Sequence, residues 1–432
     1  MSMPLLRNSS RSWSLSMSES VSSEVKITNS IDGVAGFSVA GVHAGLKKEG
    51  ALDFAIIASD RPSVAAGVFT RNTVKAAPVL LTMQRAAEHG EDIRAIAINT
   101  KSANACTGEE GMANAEKMAR LVAGQIGINA QQVMVMSTGV IGTQLPMAKI
   151  ENGAQLAGKS LGNDWQAAAT AIMTTDTRPK LASVTISTAQ GEYTIAGISK
   201  GSGMIAPNMA TMLGVVVTDA ELSQPFAQQA VRTGADASFN RAIVDGDTST
   251  NDMVVLMANG ASGVSIDQME SADGQQFQAA LNEVMMSLAK QVVRDGEGVS
   301  KFISLHINNA ATAEDALQIG RTIANSPLVK TAFFGNDANW GRIMAAAGRS
   351  GAALDHHLAH LYFAVGEDST DDALCLFANG QPTDYSEEEA TRIIKHSDVT
   401  VILDCGMGDA SCRLWTCDLS HEYVSINSDY RS

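Results

Sequence analysis

The sequence predicts an α/β fold in which helices are layered against mixed or antiparallel sheets. Segments with helical periodicity alternate with apolar, strand-like runs along the chain. Many predicted strands follow one another as neighbouring pairs, which favours this arrangement over a doubly wound parallel sheet. The chain has 432 residues, of which 45% are hydrophobic, so it is long enough to bury large cores.

The elements are predicted in chain order from their apolar periods. GMANAEKMARLVAGQIG (111–127) is typical of a helix, and QQVMVMSTG (131–139) of a buried strand that ends in a turn. KLASVTIST (180–188) and GEYTIAGISKG (191–201) predict two strands joined by a short turn. GQQFQAALNEVMMSLAKQVVRDGEG (274–298) predicts a long amphipathic helix closed by glycines.

Further strands are predicted near the C-terminus, in HLYFAVGE, DALCLFANG and DVTVILDCGMG. Residues 1–24 are rich in serine, contain arginine and are nearly free of acids. A disordered tail is the favoured interpretation, and an organelle transit segment stays open as the alternative. We therefore expect a cytoplasmic protein unless residues 1–24 direct import.

Composition excludes several classes of function. The formal net charge of −15 and the absence of a basic cluster argue against a nucleic-acid partner. No apolar run approaches the roughly 18 residues that span a membrane. The five cysteines form no C-x-x-C pair, which predicts free thiols in a reducing compartment. We expect no metal and no cofactor.

Three motifs imitate known sites without meeting their requirements. GSGMIA (201–206) fits a dinucleotide pattern, but too little chain follows it for the crossover helix that the pattern needs. DGDTSTND (245–252) begins like a calcium loop and lacks its glycine and its final glutamate, so a side-chain-bonded turn is predicted. His356 and His360 have helical metal-ligand spacing but no carboxylate partner, and we interpret them as surface residues.

The segment GSGMIAPNMATMLGVVV (201–217) raises the sharper question of what Thr211 does. Threonine is common at the start of a strand. It becomes a nucleophile when it is the N-terminal residue, because its own α-amine then acts as the base. Self-cleavage requires a turn and a small preceding residue, and Pro207, Asn208 and Ala210 supply them. Lys200 and Glu297 flank glycine-rich turns, where each is either a solvated charge or a ligand-binding one.

The block KGSGMIAPNMATML (200–213) resembles the self-cleavage motif of the ornithine acetyltransferase (ArgJ) family, which is cut before the threonine. The resemblance extends along nearly the whole chain after the tail. It includes STGVIG, AIMTTDTRPK, SFNRAIVDGDTSTND, RDGEGVSKF, FGNDANWGRI and the terminal YVSINSDYRS. It implies a layered α/β sandwich of the DmpA/ArgJ type, self-cleaved into intertwined α and β chains.

The resemblance also implies a role for each matching residue. Thr211 takes the place of the nucleophile, freed when the Ala210–Thr211 bond breaks, and Thr138 and Gly139 take the places of the oxyanion hole. The implied substrate-binding residues are Thr174, Lys200, Thr211, Glu297, Asn427 and Ser432. The Thr174 assignment is uncertain by one residue, because Thr175 follows it. Lys200 would neutralise the substrate carboxylate, and Glu297 would pair with the ornithine ammonium.

One loop departs from the family pattern. NTKSANACTG (99–108) carries Lys101 and Ser102 where glycine and asparagine are expected. A lysine in a glycine position needs a backbone conformation that it can tolerate. The departure puts substrate choice or rate in doubt.

The implied function is a glutamate N-acetyltransferase of cyclic arginine biosynthesis, working by a ping-pong route through an acetyl-Thr211 ester. Its partners would be N-acetylornithine and glutamate. The chain would divide into residues 25–210, after the tail, and residues 211–432, and assemble as α2β2. Use of acetyl-CoA as a second donor stays open. The alternatives are an N-terminal-nucleophile amidase or aminopeptidase, a non-catalytic ornithine-binding relative, and a binding protein whose Thr211 only opens a strand.

Overall fold

A computed structural model describes residues 26–48, 50–206 and 212–429. The strands, in chain order, are β1 Phe37–Val42, β2 Phe54–Phe69, β3 Ile93–Asn99, β4 Val133–Ser137, β5 Lys180–Thr188, β6 Gly191–Lys200, β7 Leu213–Thr218, β8 Glu221–Leu222, β9 Met253–Ala258, β10 Ser265–Ile266, β11 Phe302–Ala310, β12 His360–Val365, β13 Leu374–Ala378, β14 Gln381–Pro382, β15 Asp398–Asp404 and β16 Ala410–Cys417.

The helices run between these strands. They are α1 Ala77–His89, α2 Gly108–Ile126, α3 Met147–Lys159, α4 Trp165–Ala171, α5 Gln224–Ala237, α6 Ala272–Arg294, α7 Ala313–Ala324, α8 Pro327–Phe334, α9 Trp340–Gly348, α10 Glu387–Ile394 and α11 His421–Asp429. Single 3-10 turns lie at Ala130–Gln132 and Phe239–Arg241. Among the helices of the described ranges, none is long and apolar enough to cross a membrane.

An eight-stranded mixed sheet forms the larger part of the molecule, in the order β4-β3-β2-β9-β7-β6-β5 with β1 also paired to β2. Its pairs are antiparallel except for β3–β4 and β7–β9, which are parallel. Strand β2 joins two halves of this sheet: its first part pairs with β1 and β3, and its last part pairs with β9. The register shifts between Ala58 and Ser63, where the strand passes from one half to the other.

The two halves pack face to face between helices. One apolar core contains Ile57 and Ile96 from the first half together with Val215 and Val255 from the second. A second core lies between the second half and helices α5 and α6, and a third between the first half and helices α1, α2 and α3. Successive strand residues point to opposite faces, so Val215 and Val216 enter different cores. The predicted layered α/β sandwich with mixed sheets is therefore confirmed.

A six-stranded sheet follows, in the order β14-β13-β12-β15-β11-β16. Only β11 and β15 pair in parallel. Helix α7 packs on β11 and β16, and the apolar core between them includes Leu305, Ile319 and Leu414. Helix α6 connects the two sheets in sequence and is capped by Ser271, whose side chain accepts a hydrogen bond from Gly274 N at 3.0 Å.

Most of the predicted elements are confirmed. The paired strands β5 and β6 form an antiparallel hairpin in which Thr188 pairs with Gly191. GSGMIA follows β6, and the next described strand, β7, is the antiparallel neighbour of β6, which agrees with the rejection of the dinucleotide interpretation. The histidine pair is not helical: His356 lies in a turn and His360 opens β12.

Candidate active site

The predicted site residues gather where the two halves of the large sheet meet. Strands β3 and β4 of the first half end together, with Asn99 paired to Ser137. From the second half, Asn251 reaches across this edge. Its side-chain amide, which is buried, donates to Ala103 O at 2.7 Å and to Ser137 O at 2.9 Å. The start of β9 is thereby fastened to the turn that follows β4.

Thr138 and Gly139 form that turn. Thr138 N donates to Asn99 O at 3.0 Å, and Val140 N donates to Lys101 O at 3.2 Å. Gly139 has a φ of +134°, and a Cβ there would lie 2.3 Å from the carbonyl carbon of Lys101, so only glycine fits. No acceptor in the described part of the chain pairs with Gly139 N. A backbone N–H presented in this way is the kind of donor that stabilises an oxyanion.

Lys200 brings a buried cation to this turn. It ends β6, is 4% exposed, and its Nζ lies 3.4 Å from Thr138 Oγ1. Burial lowers the pKa of Lys200, whereas the negative charges of Asp176, Asp252 and Glu297 raise it. A carboxylate that entered here would find an ammonium with little competing water, so the attraction would be strong.

The segment that contains Ala210 and Thr211 is anchored at both of its ends. Lys200 pairs with Leu213 across the antiparallel strands β6 and β7. On the near side, Met204 N and Ile205 N donate to the carboxylate of Asp245 at 2.5 and 2.8 Å. On the far side, Met212 N donates to Asp252 Oδ1 at 3.0 Å.

Asp245 and Asp252 both belong to DGDTSTND, for which only a side-chain-bonded turn was predicted. The turn exists, because Asp247 N donates to Asp245 Oδ1 at 3.3 Å. The same carboxylates also hold the backbone on either side of residue 211. The density of acids was visible in the sequence. The backbone N–H groups that these acids accept from lie some 40 residues earlier, and no local pattern indicates that contact.

Glu297 and Asn427 form a polar end of the site. Asn427 Nδ2 donates to Glu297 Oε2 at 2.7 Å, and Glu297 N donates to Ser202 O at 2.9 Å. The carboxylate lies directly above Gly203, where a Cβ would be 2.4 Å from Glu297 Oε2. Glu297 is half-buried and Asn427 exposed, so an incoming cation could reach this carboxylate.

The adjacent threonines divide their contacts. Thr174 N donates to Asp176 Oδ2 at 2.9 Å, whereas the hydroxyl of Thr175 lies 2.6 Å from that of Ser202. Thr175 therefore contacts the glycine-rich loop directly through its side chain. Thr174 is linked to that loop through Asp176. The role of Thr174 in binding a substrate stays a prediction.

Local sequence patterns did not predict a buried ion triad that lies beneath these segments. Lys180 Nζ donates to Asp176 Oδ1 at 2.7 Å and to Asp295 Oδ2 at 2.6 Å, and the three side chains are 0, 0 and 2% exposed. Asp176 also accepts from Gly201 N at 2.7 Å. Burial would raise the pKa of Asp176, but the charges of Lys200 and Lys180 outweigh it and hold this pKa well below its usual range.

The structure thus brings together Thr138, Gly139, Lys200, Glu297 and Asn427. The predicted cleavage pair Ala210 and Thr211, the predicted binding residue Ser432 and the tail 1–24 lie outside the described residues. Within the ranges that are described, no group of three His, Cys, Asp or Glu side chains is arranged to hold a metal ion. The five cysteines are free.

Comparison with known proteins gives a consistent result. Residues 38–432 match the model of the ArgJ family. The chain is 46% identical over 397 residues to the arginine biosynthesis bifunctional protein ArgJ of Thermotoga neapolitana, covering 92% of this chain and 99% of that protein. The protein of the same name from Geobacter sulfurreducens is 46% identical over 404 residues, covering 92% of this chain and all of that protein.

A solved structure of arginine biosynthesis bifunctional protein ArgJ from Bacillus halodurans is also similar. It has 38% sequence identity and a TM-score of 0.46, and the match covers 49% of this chain and 96% of that chain.

Proposed function

The chain belongs to the ArgJ family, and from this premise we propose that it is a glutamate N-acetyltransferase of arginine biosynthesis. Its donor would be N-acetylornithine and its acceptor glutamate. The relatives are named as bifunctional, and we propose acetyl-CoA as the second donor for the same acceptor. The reaction needs an activated nucleophile, an oxyanion hole and a way to hold an amino acid, and the site offers candidates for each.

In the proposed first half-reaction, the α-amine of Thr211, freed by cleavage after Ala210, removes the proton from the Thr211 hydroxyl. The hydroxyl oxygen attacks the acetyl carbonyl of N-acetylornithine. Gly139 N and the Thr138 side chain stabilise the negative oxygen of the tetrahedral intermediate. When the intermediate collapses, the C–N bond breaks and ornithine leaves with the proton on its α-amine.

The second half-reaction uses the same groups in reverse. The α-amine of glutamate attacks the acetyl-Thr211 ester, the C–O bond breaks, and Thr211 recovers its proton as N-acetylglutamate forms. Lys200 would neutralise the α-carboxylate of either amino acid. Glu297, oriented by Asn427, would pair with the ornithine ammonium, and Thr174 and Ser432 would complete the binding set.

The observation that carries this proposal is the 3.4 Å contact between Lys200 Nζ and Thr138 Oγ1. It joins the strand that leads into the predicted cleavage segment to the predicted oxyanion hole. The hydrogen bonds of Met204, Ile205 and Met212 support it, because they fix the backbone on both sides of that segment.

We further propose that cleavage yields residues 1–210 and 211–432, which remain one folded unit. The large sheet supports this, because β6 precedes residue 211, β7 follows it, and the two strands are paired through six residue pairs. Assembly of two such units as α2β2 is part of the proposal.

The test begins with intact-mass measurement and N-terminal sequencing of the purified protein. We expect two nearly equal fragments, the second beginning Thr-Met-Leu, and one uncut chain from Thr211→Ala. Thr211→Ser, which keeps a hydroxyl nucleophile, is the matched control and should still be cut. Uncut wild-type protein would contradict the self-processing mechanism.

Acetyl transfer is then measured with N-acetylornithine and glutamate. We expect one N-acetylglutamate for each ornithine released, and no product from Thr211→Ala. Free acetate in place of N-acetylglutamate would show that water is the acceptor and that the protein is an amidase instead.

A further inference from the structure

The proposed function, on which this inference rests, poses a problem of charge. The same site must release ornithine, whose side chain is cationic, as the acetyl-enzyme forms, and must then accept glutamate, whose side chain is anionic. A γ-carboxylate placed at the polar end of the site would meet the like charge of Glu297. The glutamate side chain therefore needs a cationic position elsewhere, within reach of the turn at Thr138 and Gly139.

Lys101 lies directly against that turn. Its carbonyl accepts the hydrogen bond from Val140 N at 3.2 Å, and its Cα lies 2.6 Å from where a Cβ of Gly139 would be. Lys101 is exposed and has a φ of +71°, a backbone conformation that lysine rarely adopts. A long cationic side chain is thus carried on the rim of the predicted oxyanion hole.

Lys47 approaches the same loop from a second segment. Asp53 joins the two: its carbonyl accepts from Thr100 N at 3.1 Å, and its carboxylate accepts from Lys47 N at 2.8 Å and from Ala44 N at 2.6 Å. Backbone donors therefore hold the Asp53 carboxylate. The ammonium of Lys47 donates to Leu52 O at 2.7 Å and has two further hydrogens to offer.

The charges of these residues act on one another. Burial lowers the pKa of Lys47, the charges of Asp53 and Asp176 raise it, and the positive charges of Lys101 and Lys200 lower it further. Three ammonium groups therefore share one region at the edge of the sheet. An anion bound among them would relieve their mutual repulsion as well as form new ion pairs.

We propose that Lys47 and Lys101 form the subsite for the γ-carboxylate of the glutamate acceptor, opposite the end formed by Glu297 and Asn427. Lys200 then faces the α-carboxylate that both amino acids share. The two substrates would occupy one reaction centre with their side chains directed to groups of opposite charge. The ligand class is a dicarboxylic amino acid.

The experiment compares glutamate with glutamine, its neutral analogue of nearly equal size, as acetyl acceptors. The variants are Lys47→Met, Lys101→Gly and the double variant, and the measured quantity is the ratio of kcat/KM for glutamate to that for glutamine. We expect this ratio to fall about tenfold in each single variant, the size expected for one hydrogen bond to a charged group. Lys48→Met is the matched control, because Lys48 is the exposed neighbour of Lys47, and its ratio should not change.

The rate of ornithine release in the absence of an acceptor is measured on the same proteins. It should be unchanged, because the first half-reaction does not use the proposed subsite. An unchanged ratio in the double variant would overturn the inference. An equal fall with both acceptors would also overturn it, since the lysines would then act on folding or on the reaction centre.

Failure of the proposed function is distinguishable from failure of this inference. If the wild-type protein transfers no acetyl group, equilibrium binding of glutamate and glutamine to the same variants replaces the kinetics. A preference for glutamate that disappears in the double variant would support the subsite. Equal binding of the two amino acids by the wild-type protein would contradict the proposed subsite.

Discussion

Two ionic clusters lie at the C-terminal end of helix α6 and differ chiefly in burial. The buried triad consists of Lys180, Asp176 and Asp295, whose side chains are 0 to 2% exposed. The half-exposed network joins Lys290 and Arg294, in the last two turns of α6, to three acids, with side chains 19 to 33% exposed. These acids are Glu367, Asp368 and Asp398.

The buried triad connects segments that are distant in sequence. Asp176 accepts from Gly201 N and from Thr174 N, and Asp295 accepts from Thr177 N at 3.0 Å. Removing water from three charges is costly, and only complete pairing and hydrogen bonding offset that cost. The arrangement is therefore sensitive to the position of every partner, which suits it to fixing the segments that carry Lys200 and Glu297.

The half-exposed network connects the same helix to the six-stranded sheet. Lys290 Nζ lies 2.7 Å from both Glu367 Oε1 and Asp368 Oδ2, and Arg294 pairs with Glu367 and Asp398. The side chains also pack on rings, with Arg294 Cζ 3.9 Å from the centre of Phe302. Water reaches these charges, so each ion pair is replaceable by hydration. Burial, more than the number of partners, should decide what each cluster contributes.

Lys180→Met should have the largest effect. It leaves the carboxylates of Asp176 and Asp295 buried without their shared cation, which costs about 3–5 kcal/mol of folding free energy. Urea unfolding on a Thr211→Ala background, where a single chain is expected, gives the loss. We also expect slower cleavage in the Thr211 protein, because Gly201 loses its fixed acceptor.

Lys180→Arg is the control that retains the positive charge but changes the shape of the side chain. It should recover part of the stability lost in Lys180→Met. If Lys180→Met unfolded at the same urea concentration as its Thr211→Ala parent, burial would not distinguish the two clusters and the comparison would be wrong.

The second-largest effect is expected from acid, which should weaken the buried triad. Although burial alone would raise the pKa of Asp176, Lys200, Lys180 and the N–H of Thr174 hold it well below its ordinary value of 3.8. In the unfolded chain Asp176 binds a proton near 3.8, whereas in the folded protein it stays ionised. Its contribution to stability is therefore complete above the unfolded pKa and is lost as the pH falls through the folded pKa.

Urea midpoints measured from pH 6 down to pH 3 test this expectation. They should fall steadily at the acid end in the wild-type protein and less steeply in Asp176→Asn, each compared with its own value at pH 6. Asp368 also has a lowered pKa: burial raises it, but hydrogen bonds from His306 and Lys290 outweigh that effect. Because Asp368 is partly exposed, Asp368→Asn should flatten the curve less than Asp176→Asn does.

Much of the fold was predictable because its signals are local. The β5–β6 hairpin and helix α6 follow from apolar periods and from the turn and capping residues between them. The passage of β2 from one half of the large sheet to the other was not predicted. It depends on which strands pair with each part of β2, and no short-range pattern records that pairing.

The candidate site was likewise predicted in part and missed in part. The grouping of Thr138, Lys200, Glu297 and Asn427 was predicted from the family resemblance, since these residues are up to 289 positions apart and share no spacing rule. Asp295 was not singled out, although it lies two residues before Glu297. Its partner Lys180 is 115 positions away, and a lone lysine before an apolar strand gives no indication that it will be fully buried.

Lys290→Met should have the smallest effect, although it removes as many ion pairs as Lys180→Met does. After the substitution, Glu367 keeps Arg294 and Asp368 keeps His306 at 2.9 Å. Both acids are also solvated, so we expect a loss of about 1 kcal/mol or less. Urea midpoints at low and high salt measure it, and the loss should shrink with salt because exposed charges are screened. A loss as large as that of Lys180→Met, and independent of salt, would mean that the contact of Lys290 Nζ with the Trp415 ring, 5.0 Å from its centre, or another packing effect outweighs solvent exposure.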